Sequence, residues 1–529
     1  MKTQRMNSIL GNLIDPQRPY RAFVPQSVKI YPVHQLLPTL PAPSLEQWNP
    51  RMARDTRGYL DSLGSSPIGR QLYIHVPFCP AFCHYCCLYK TTEGDEQGSD
   101  TIELFTQALI REVGMVARVP AAQLRPVTSI YFGGGTPTVL TPDQVGRILR
   151  ALREHLPLAQ EPEITFEGMP QHLRVREYLQ ALVELGVNRI SYGVQTFQPQ
   201  LRKELGRIDT VEDIIAAAQT IRETGGIGAL NFELLMGVPG QTLEQLKDDL
   251  RQSVDCQPDT LDVLFYNAVP GTKYYSMIKR GLREPQAAGT TLLEMRRACV
   301  EALTAKGYHH ATGEIFDRIS GRLDNFNQTH YGGPTGLDEM LALGPSSYGF
   351  LDGVVYQNVA NLKEYFRHLR ADRFPIRTWK SINAREAQRR GLLFGIQLRQ
   401  INRHTVSDWF TRALIATWRA RGLVSANAHG WELTGKGKLW YNMMQLEAMP
   451  MSECVAALDL AFAPDEQARL LFKPSRGAGN LPLARELERV IEGPVPVLRG
   501  ARRTMFHVSK RIPRRRGRLG FGGPEAGEA

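Results

Sequence analysis

Between residues 71 and 266 short apolar strands alternate with amphipathic helices, and this alternation constrains the chain more than any other feature. Strands are expected at 71–77, 127–132, 163–167, 188–194, 230–236 and 260–266, each rich in aromatic or β-branched residues. Between the first two, residues 101–117 place Ile102, Phe105, Leu109, Val113 and Val116 on one helical face. Thr141-Pro142-Asp143-Gln144 reads as a capping box with proline at the first helical position. Thr242-Leu243-Glu244-Gln245 repeats the box ahead of Leu246, Leu250 and Val254. Six strand–helix units in series imply a parallel sheet of α/β class with helices packed on it. Reactive groups then belong at the C-terminal ends of the strands.

The first strand runs into a loop holding Cys79, Cys83, Cys86 and Cys87. The first three form C-x3-C-x2-C, able to give three thiolates to three irons of a cubane and to leave the fourth iron without a protein ligand. A 4Fe–4S cluster ordinarily takes four cysteines, so the missing one marks a position kept for substrate or cofactor. Zinc is the rival, since it too takes closely spaced cysteines, although its sites come mostly as two separated pairs. Cys256, Cys299 and Cys454 are isolated, and so few cysteines in 529 residues do not make a disulfide framework.

Other candidates fall at the ends of the later strands. Gly133-Gly134-Gly135-Thr136 follows the second, where glycines let the backbone approach a ligand and expose N–H groups to it; a tight turn would use the same residues. Glu167 ends the third strand, Gln195 ends the fourth with Arg207 twelve residues on, and Glu233 lies in the fifth.

Y-I-H-V-P-F-C-x3-C-x2-C followed by Y-F-G-G-G-T-P-T resembles the radical S-adenosylmethionine (SAM) superfamily, and within it the branch of oxygen-independent coproporphyrinogen III oxidase. The resemblance runs through residues 71–350 and more weakly to about 445. It implies a partial (β/α)6 barrel, a 4Fe–4S cluster on Cys79, Cys83 and Cys86, and SAM chelating the open iron. One electron from the cluster then cleaves SAM to methionine and a 5′-deoxyadenosyl radical. SAM contacts carry over to Gly133, Gly134, Gly135, Thr136, Glu167, Gln195, Arg207 and Glu233, with Arg207 suited to a carboxylate. Tyr73 and Glu167 are the candidates for a catalytic role. There are departures: the oxidase has a fourth cysteine where Leu88 stands here, and aspartate is usual at Glu233. Cys87 is expected to be a buried neighbour and not a ligand.

Three reactions fit such a chain. The first, favoured by the departures, is class C methyl or methylene transfer from a second SAM molecule to an sp2 carbon of an aromatic, quinone, natural-product or tetrapyrrole substrate. The others are propionate decarboxylation by an oxidase proper and heme carriage without turnover. Any turnover needs an electron donor such as flavodoxin or ferredoxin and a small-molecule substrate.

The expected organisation is a proline-rich segment covering the site (1–70), with eight prolines from Pro16 to Pro50 and an edge strand at Val28–Val33; the partial barrel (71–350); a smaller α-rich, winged-helix-like module (351–449); and an extension with a basic tail (450–529). A loop at Ala342–Gly349 resembles another glycine stretch of the branch. His309, His310 and His330 read as core or exposed histidines. The formal charge of +11 sits largely in that tail: residues 499–529 carry a net +7, leaving +4 on the rest. Nucleic acid is therefore not an expected partner. No apolar run nears the roughly 18 residues of a membrane span, and a cytoplasmic location is expected for free, clustered thiols.

Overall fold

The computed structural model describes residues 69–91, 99–266, 272–284, 289–318, 333 and 337–448. The proline-rich segment with its edge strand, His330, and the extension with Cys454 and the basic tail lie outside these residues.

All six expected strands form: β1 (Arg70–Val76), β2 (Val127–Gly134), β3 (Leu158–Gly168), β4 (Arg189–Gln195), β5 (Ala229–Met236) and β6 (Thr260–Phe265). Each pairs in parallel with the next. A helix follows each strand, at Ser99–Val116, Pro142–His155, Arg176–Glu184, Val211–Thr224, Leu243–Asp255 and Gly289–Thr304. Both expected capping boxes are present, at Thr141 and Thr242, and Thr210 with Asp213 makes a third. Each cap satisfies backbone N–H groups that a helix start otherwise leaves unpaired.

Side-chain alternation sorts the two faces of this sheet. Leu72, Ile74, Phe132, Phe166, Phe232 and Leu234 join one apolar cluster with Phe105, Leu109, Ile148, Ile214 and Leu250 of the covering helices. Each such burial contributes about 1.5–3 kcal/mol. The opposite parity is polar and bonded across strands. Arg189 donates to Thr165 and Thr260; Asn231 bridges Ser191, Thr260 and Asp262. The barrel interior is thus a polar lumen leading up to the strand ends.

The sheet is larger than expected. After β6 the chain returns antiparallel as β7 (His309–His310) and β8 (Ile315–Asp317), and β9 (Glu339–Leu343) then pairs in parallel with β1. Three antiparallel-linked strands continue beyond β9: β10 (Tyr348–Leu351), β11 (Val354–Asn358) and β12 (Ile376–Ser381). Ala342 and Leu343 therefore end a strand, and only Gly344–Ser347 form the expected loop. His309 is exposed; His310 is buried and stacked on Phe316.

The smaller module has helices at Ala384–Gln397, Trp409–Ala420 and Gly435–Ala448 beside a three-stranded antiparallel sheet of Gln400–Asn402, Gly430–Leu433 and Val424–Ala426. Asp408 caps the middle helix through Thr411 N. Trp418, fully buried on it, donates Nε1–H to Glu447 at 2.6 Å. This is the expected winged-helix-like arrangement. No described helix is long and apolar enough to cross a membrane.

Candidate functional site

The cysteine loop leaves β1 at Pro77 and is fastened at several points. Thr91 N donates to Pro77 O at 2.6 Å and Cys79 N to Thr91 O at 3.1 Å, closing the loop on itself. His84 N donates to Leu205 O and Tyr274 N to His84 O, both at 2.8 Å, so the loop is tied to the segments after β4 and β6. The His84 ring donates Nδ1–H to Glu204 O and accepts from Lys273 Nζ.

Cys79 is buried, Cys83 and Cys86 half-buried, and Cys87 exposed. Burial pushes the Cys79 thiol up to about 11, against the Thr136 hydroxyl and the Lys90 ammonium, which favour its thiolate. Burial works against the charge of Lys90, yet the sulfurs of Cys86, Cys79 and Cys83 outweigh it and hold its pKa above the usual lysine range. The three thiols thus share one cation. The Cys87 sulfur acts electrostatically on Tyr348. Its exposure corrects the expectation of burial, because Cys87 and Leu88 sit at the outer turn of the loop.

The glycine loop packs directly beneath. Added to Gly135, a Cβ would lie 2.5 Å from Phe78 O and 2.6 Å from Val76 O; at Gly134 it would meet the His75 ring at 2.5 Å. The expected exposure of N–H groups is not found here. Gly134 N donates to Glu167 Oε2, Gly135 N to Val76 O and Thr136 N to Phe78 O. Gly135 is needed because two backbones touch there, and Gly134, at φ of +104°, because a side chain would run into the His75 ring. Thr136 Oγ1 donates to Cys79 Sγ at 3.4 Å.

Glu167 accepts from Tyr131 Oη at 2.6 Å, and Tyr131 stacks on Tyr73 with ring centroids 6.1 Å apart. Tyr73 Oη in turn reaches His75 Nδ1 at 3.2 Å, while His75 Nε2–H is directed to Tyr89 O at 2.8 Å. Burial lowers His75 to about 4, so the ring is neutral and Nδ1 accepts a hydrogen bond from Tyr73 Oη. Burial first, and the Glu233 carboxylate second, hold Glu167 well above the usual carboxylate range. Glu233 also lies 3.5 Å from Ser191 Oγ.

Gln195 sits beyond a bulge in β4 with φ of +65°, a left-handed conformation unusual for glutamine. Such strain costs about 1–3 kcal/mol and concentrates at functional sites. Arg207 lies behind it, its side chain 10% exposed. Its NH2 donates to Gly193 O at 2.8 Å and to Asp209 at 3.0 Å, its Nε pairs with Asp209 at 2.9 Å, and NH1 points at Cys83 Sγ 3.6 Å away. Most of its fork is therefore taken by Asp209. The expected residues Tyr73, Cys79, Cys83, Cys86, Gly133–Thr136, Glu167, Gln195, Arg207 and Glu233 all belong to β1–β5 or the connections that follow them. Sequence reasoning missed Lys90, Asp209 and Tyr131, none of which carries a local signal.

Among the described residues no three Cys, His, Asp or Glu side chains close on a point fit for one metal ion. Three thiols of one loop that act together on the Lys90 charge supply the thiolate donors a cubane takes on three of its irons. The donor set fits a cubane.

A parallel barrel with three loop thiols at its mouth and a glycine loop beneath them defines a radical SAM enzyme, and the Radical SAM superfamily profile matches residues 73–252. Oxygen-independent coproporphyrinogen III oxidase of Bradyrhizobium diazoefficiens is 30% identical over 60% of this chain and 71% of its own length. Anaerobilin synthase of Escherichia coli O157:H7 is 27% identical over 71% and 83% respectively. The solved structure of coproporphyrinogen III oxidase (HemN) from Escherichia coli superposes with a TM-score of 0.61 at 25% identity, covering 74% of this chain and 93% of that one. The chain belongs to the radical SAM superfamily, in the oxygen-independent coproporphyrinogen III oxidase-like branch. That membership implies a 4Fe–4S cluster and SAM.

Proposed function

We propose that Cys79, Cys83 and Cys86 hold the cluster, that SAM lies across Gly133–Thr136, Glu167, Gln195 and Glu233, and that the enzyme decarboxylates propionate side chains of a coproporphyrinogen-type tetrapyrrole. The observation that carries the site is the hydrogen bonding of two ligand sulfurs, Cys79 by Thr136 and Cys83 by Arg207, which joins the cysteine loop to the ends of β2 and β4. Once bound, cluster and SAM together supply one-electron chemistry able to attack an unactivated carbon. The chain's own work is positioning. Hydrogen bonds and the Lys90 charge stabilise thiolates, the barrel keeps the site apart from bulk water, and Glu167, once it gives up its proton, offers a carboxylate that can accept from the amino group of SAM. Arg207 keeps only NH1 outside its Asp209 pair, so it acts on Cys83 more than as a free fork for the SAM carboxylate.

The relative named as an oxygen-independent coproporphyrinogen III oxidase supports reading the substrate as a tetrapyrrole and the reaction as decarboxylation, ahead of the methyl or methylene transfer expected from sequence. Transfer from a second SAM remains a distinct outcome, favoured by Glu233 in place of the usual aspartate. One anaerobic assay separates them: cluster-loaded enzyme, a reductant such as reduced flavodoxin, coproporphyrinogen, and methyl-deuterated SAM. Coproporphyrinogen consumed with 5′-deoxyadenosine free of deuterium is expected. Deuterium in 5′-deoxyadenosine would mark the two-SAM route, and heme retained without SAM cleavage would mark a carrier.

A further inference from the structure

We infer that the open face of the Trp409–Ala420 helix, with the turn before it and the hairpin after it, is a docking surface for duplex DNA. The inference is independent of the cluster assignment and of the reaction. The smaller module runs helix Ala384–Gln397, strand Gln400–Asn402, turn Arg403–Thr405, helix Trp409–Ala420, then the hairpin of Val424–Ala426 and Gly430–Leu433. In a helix-turn-helix the second helix is the one laid in the major groove, and Trp409–Ala420 holds that place. Thr411, Leu414, Ile415 and Trp418 bury its inner side. Trp409, Arg412, Ala416 and Arg419 are exposed at spacings of three, four and three, so they share the other side. Trp409 is 66% exposed, its ring edge-on to Phe410.

The charge count of the whole chain hid this module. Residues 384–448 carry ten Lys or Arg against four Asp or Glu, a net +6, so the chain without module and tail is at −2. Arg403, Arg412, Arg419 and Lys436 are exposed, and none pairs with a carboxylate among the described residues; Arg412 donates to Ser407 O and Lys436 to Arg421 O. The four acids do not cancel them. Asp408 caps the helix and pairs with Arg389, Glu386 closes the capping box at Asn383, and Glu447 takes the Trp418 N–H. Glu432, on the hairpin, is the exposed one, and its charge acts on Arg399 and Lys438. A cationic stripe free of carboxylates suits a polyanion whose charges are evenly spaced, as phosphates are. The shape selects among polyanions. Alanines at 413, 416 and 420 let the helix backbone come close, and the major groove of DNA, about 12 Å wide, admits a helix. The deep, narrow groove of duplex RNA does not. One exposed tryptophan is too small an apolar face for a bilayer.

The test follows a short labelled DNA duplex of mixed sequence by fluorescence anisotropy, with full-length protein throughout. Arg412→Glu with Arg419→Glu is compared with Arg150→Glu and Arg370→Glu, an equal change of charge at exposed arginines outside the module. Expected is a loss of at least tenfold in affinity for the first pair and little change for the second. Four phosphate contacts predict a wild-type affinity that falls about 150-fold between about 50 and 200 mM salt, and a salt slope lower by about two in the first pair. Arg412→Gln with Arg419→Gln should show a smaller loss in the same direction, with melting temperatures confirming that both pairs are folded. Because the basic tail also attracts phosphate, the comparison is repeated with Arg514, Arg515 and Arg516 changed to glutamine, where the tenfold difference should persist. Equal losses in the two charge-reversed pairs would overturn the proposal. So would wild-type affinity for an RNA duplex of the same length, or for anionic lipid vesicles at matched charge, as high as for DNA.

Discussion

Glu167 carries a proton that its neighbours dictate. Burial and the Glu233 carboxylate raise its pKa, while Tyr131 Oη and Gly134 N, as donors, favour the ionised form. A carboxylate accepts a hydrogen bond from a bound amino group better than a carboxylic acid does, so SAM affinity should rise with pH as that proton leaves. Glu233→Gln removes the like charge and should move the midpoint of this rise to lower pH. SAM titrations of cluster-loaded protein across the pH range check it; an unchanged midpoint would mean that burial alone sets the proton. Arg207 makes a different case. Lysine there cannot reproduce the contacts to Asp209, Gly193 O and Cys83 at once. Arg207→Lys should therefore disturb the cluster, seen as a shifted absorbance or reduction potential, in addition to weakening SAM binding. A normal cluster spectrum with weak SAM binding would instead return Arg207 to a role as a SAM contact alone.

At the scale of elements, the glycine loop and the cysteine loop are one unit. Gly135→Ala places a methyl against two backbone carbonyls that cannot swing aside. We expect iron content well below the roughly four per chain of a filled cluster, together with a lowered melting temperature. Gly307→Ala, where a Cβ meets nothing but φ is +83°, should cost only about 1 kcal/mol and leave iron unchanged. Equal iron loss in both would show that the contact is not the cause. The six strands were legible in sequence because each buries one face, giving runs such as VTSIYF between capped helices. β7 and β8 were not, being two and three residues long and paired only through β6. β9 was half hidden, since Ala342-Leu343-Gly344 reads as a loop until β1 supplies a partner. The same reasoning sorts the site. Cysteine spacing is local and readable, whereas Lys90 and Asp209 are ordinary charged residues until the fold sets them beside sulfur and arginine.

For the molecule as a whole, two buried assemblies join the β9 side to the start of the barrel. Arg70 is fully buried; it pairs with Glu339 and donates to Ala121 O, Ala122 O and Arg125 O. Glu339→Gln should destabilise by about 3–5 kcal/mol, because it strands a buried charge; denaturant unfolding checks it. Above it, Glu112 accepts from Gly344 N, Asn358 and Tyr365. Burial raises its pKa to about 7, from an ordinary 4.5. The folded state thus holds this proton more tightly than the unfolded chain. Its contribution is full below about pH 4.5 and is lost as pH rises through about 7, an effect of about 3 kcal/mol. Glu112→Gln should flatten stability between pH 5 and pH 8, and a wild-type slope in that variant would assign the effect to another group.

The neighbour of β1 on that side is encoded more than 260 residues downstream. At roughly 5–20 residues per second on the ribosome, about 15–50 seconds pass between the emergence of the cysteine loop and that of β9. Throughout that interval β1 has β2 on one flank and an open edge on the other, and the three thiols ride on it exposed to the cell. Delivery of iron during synthesis would meet a half-built wall. The order of events that suits this topology is closure of the sheet by β9 first and metallation of the finished chain afterwards.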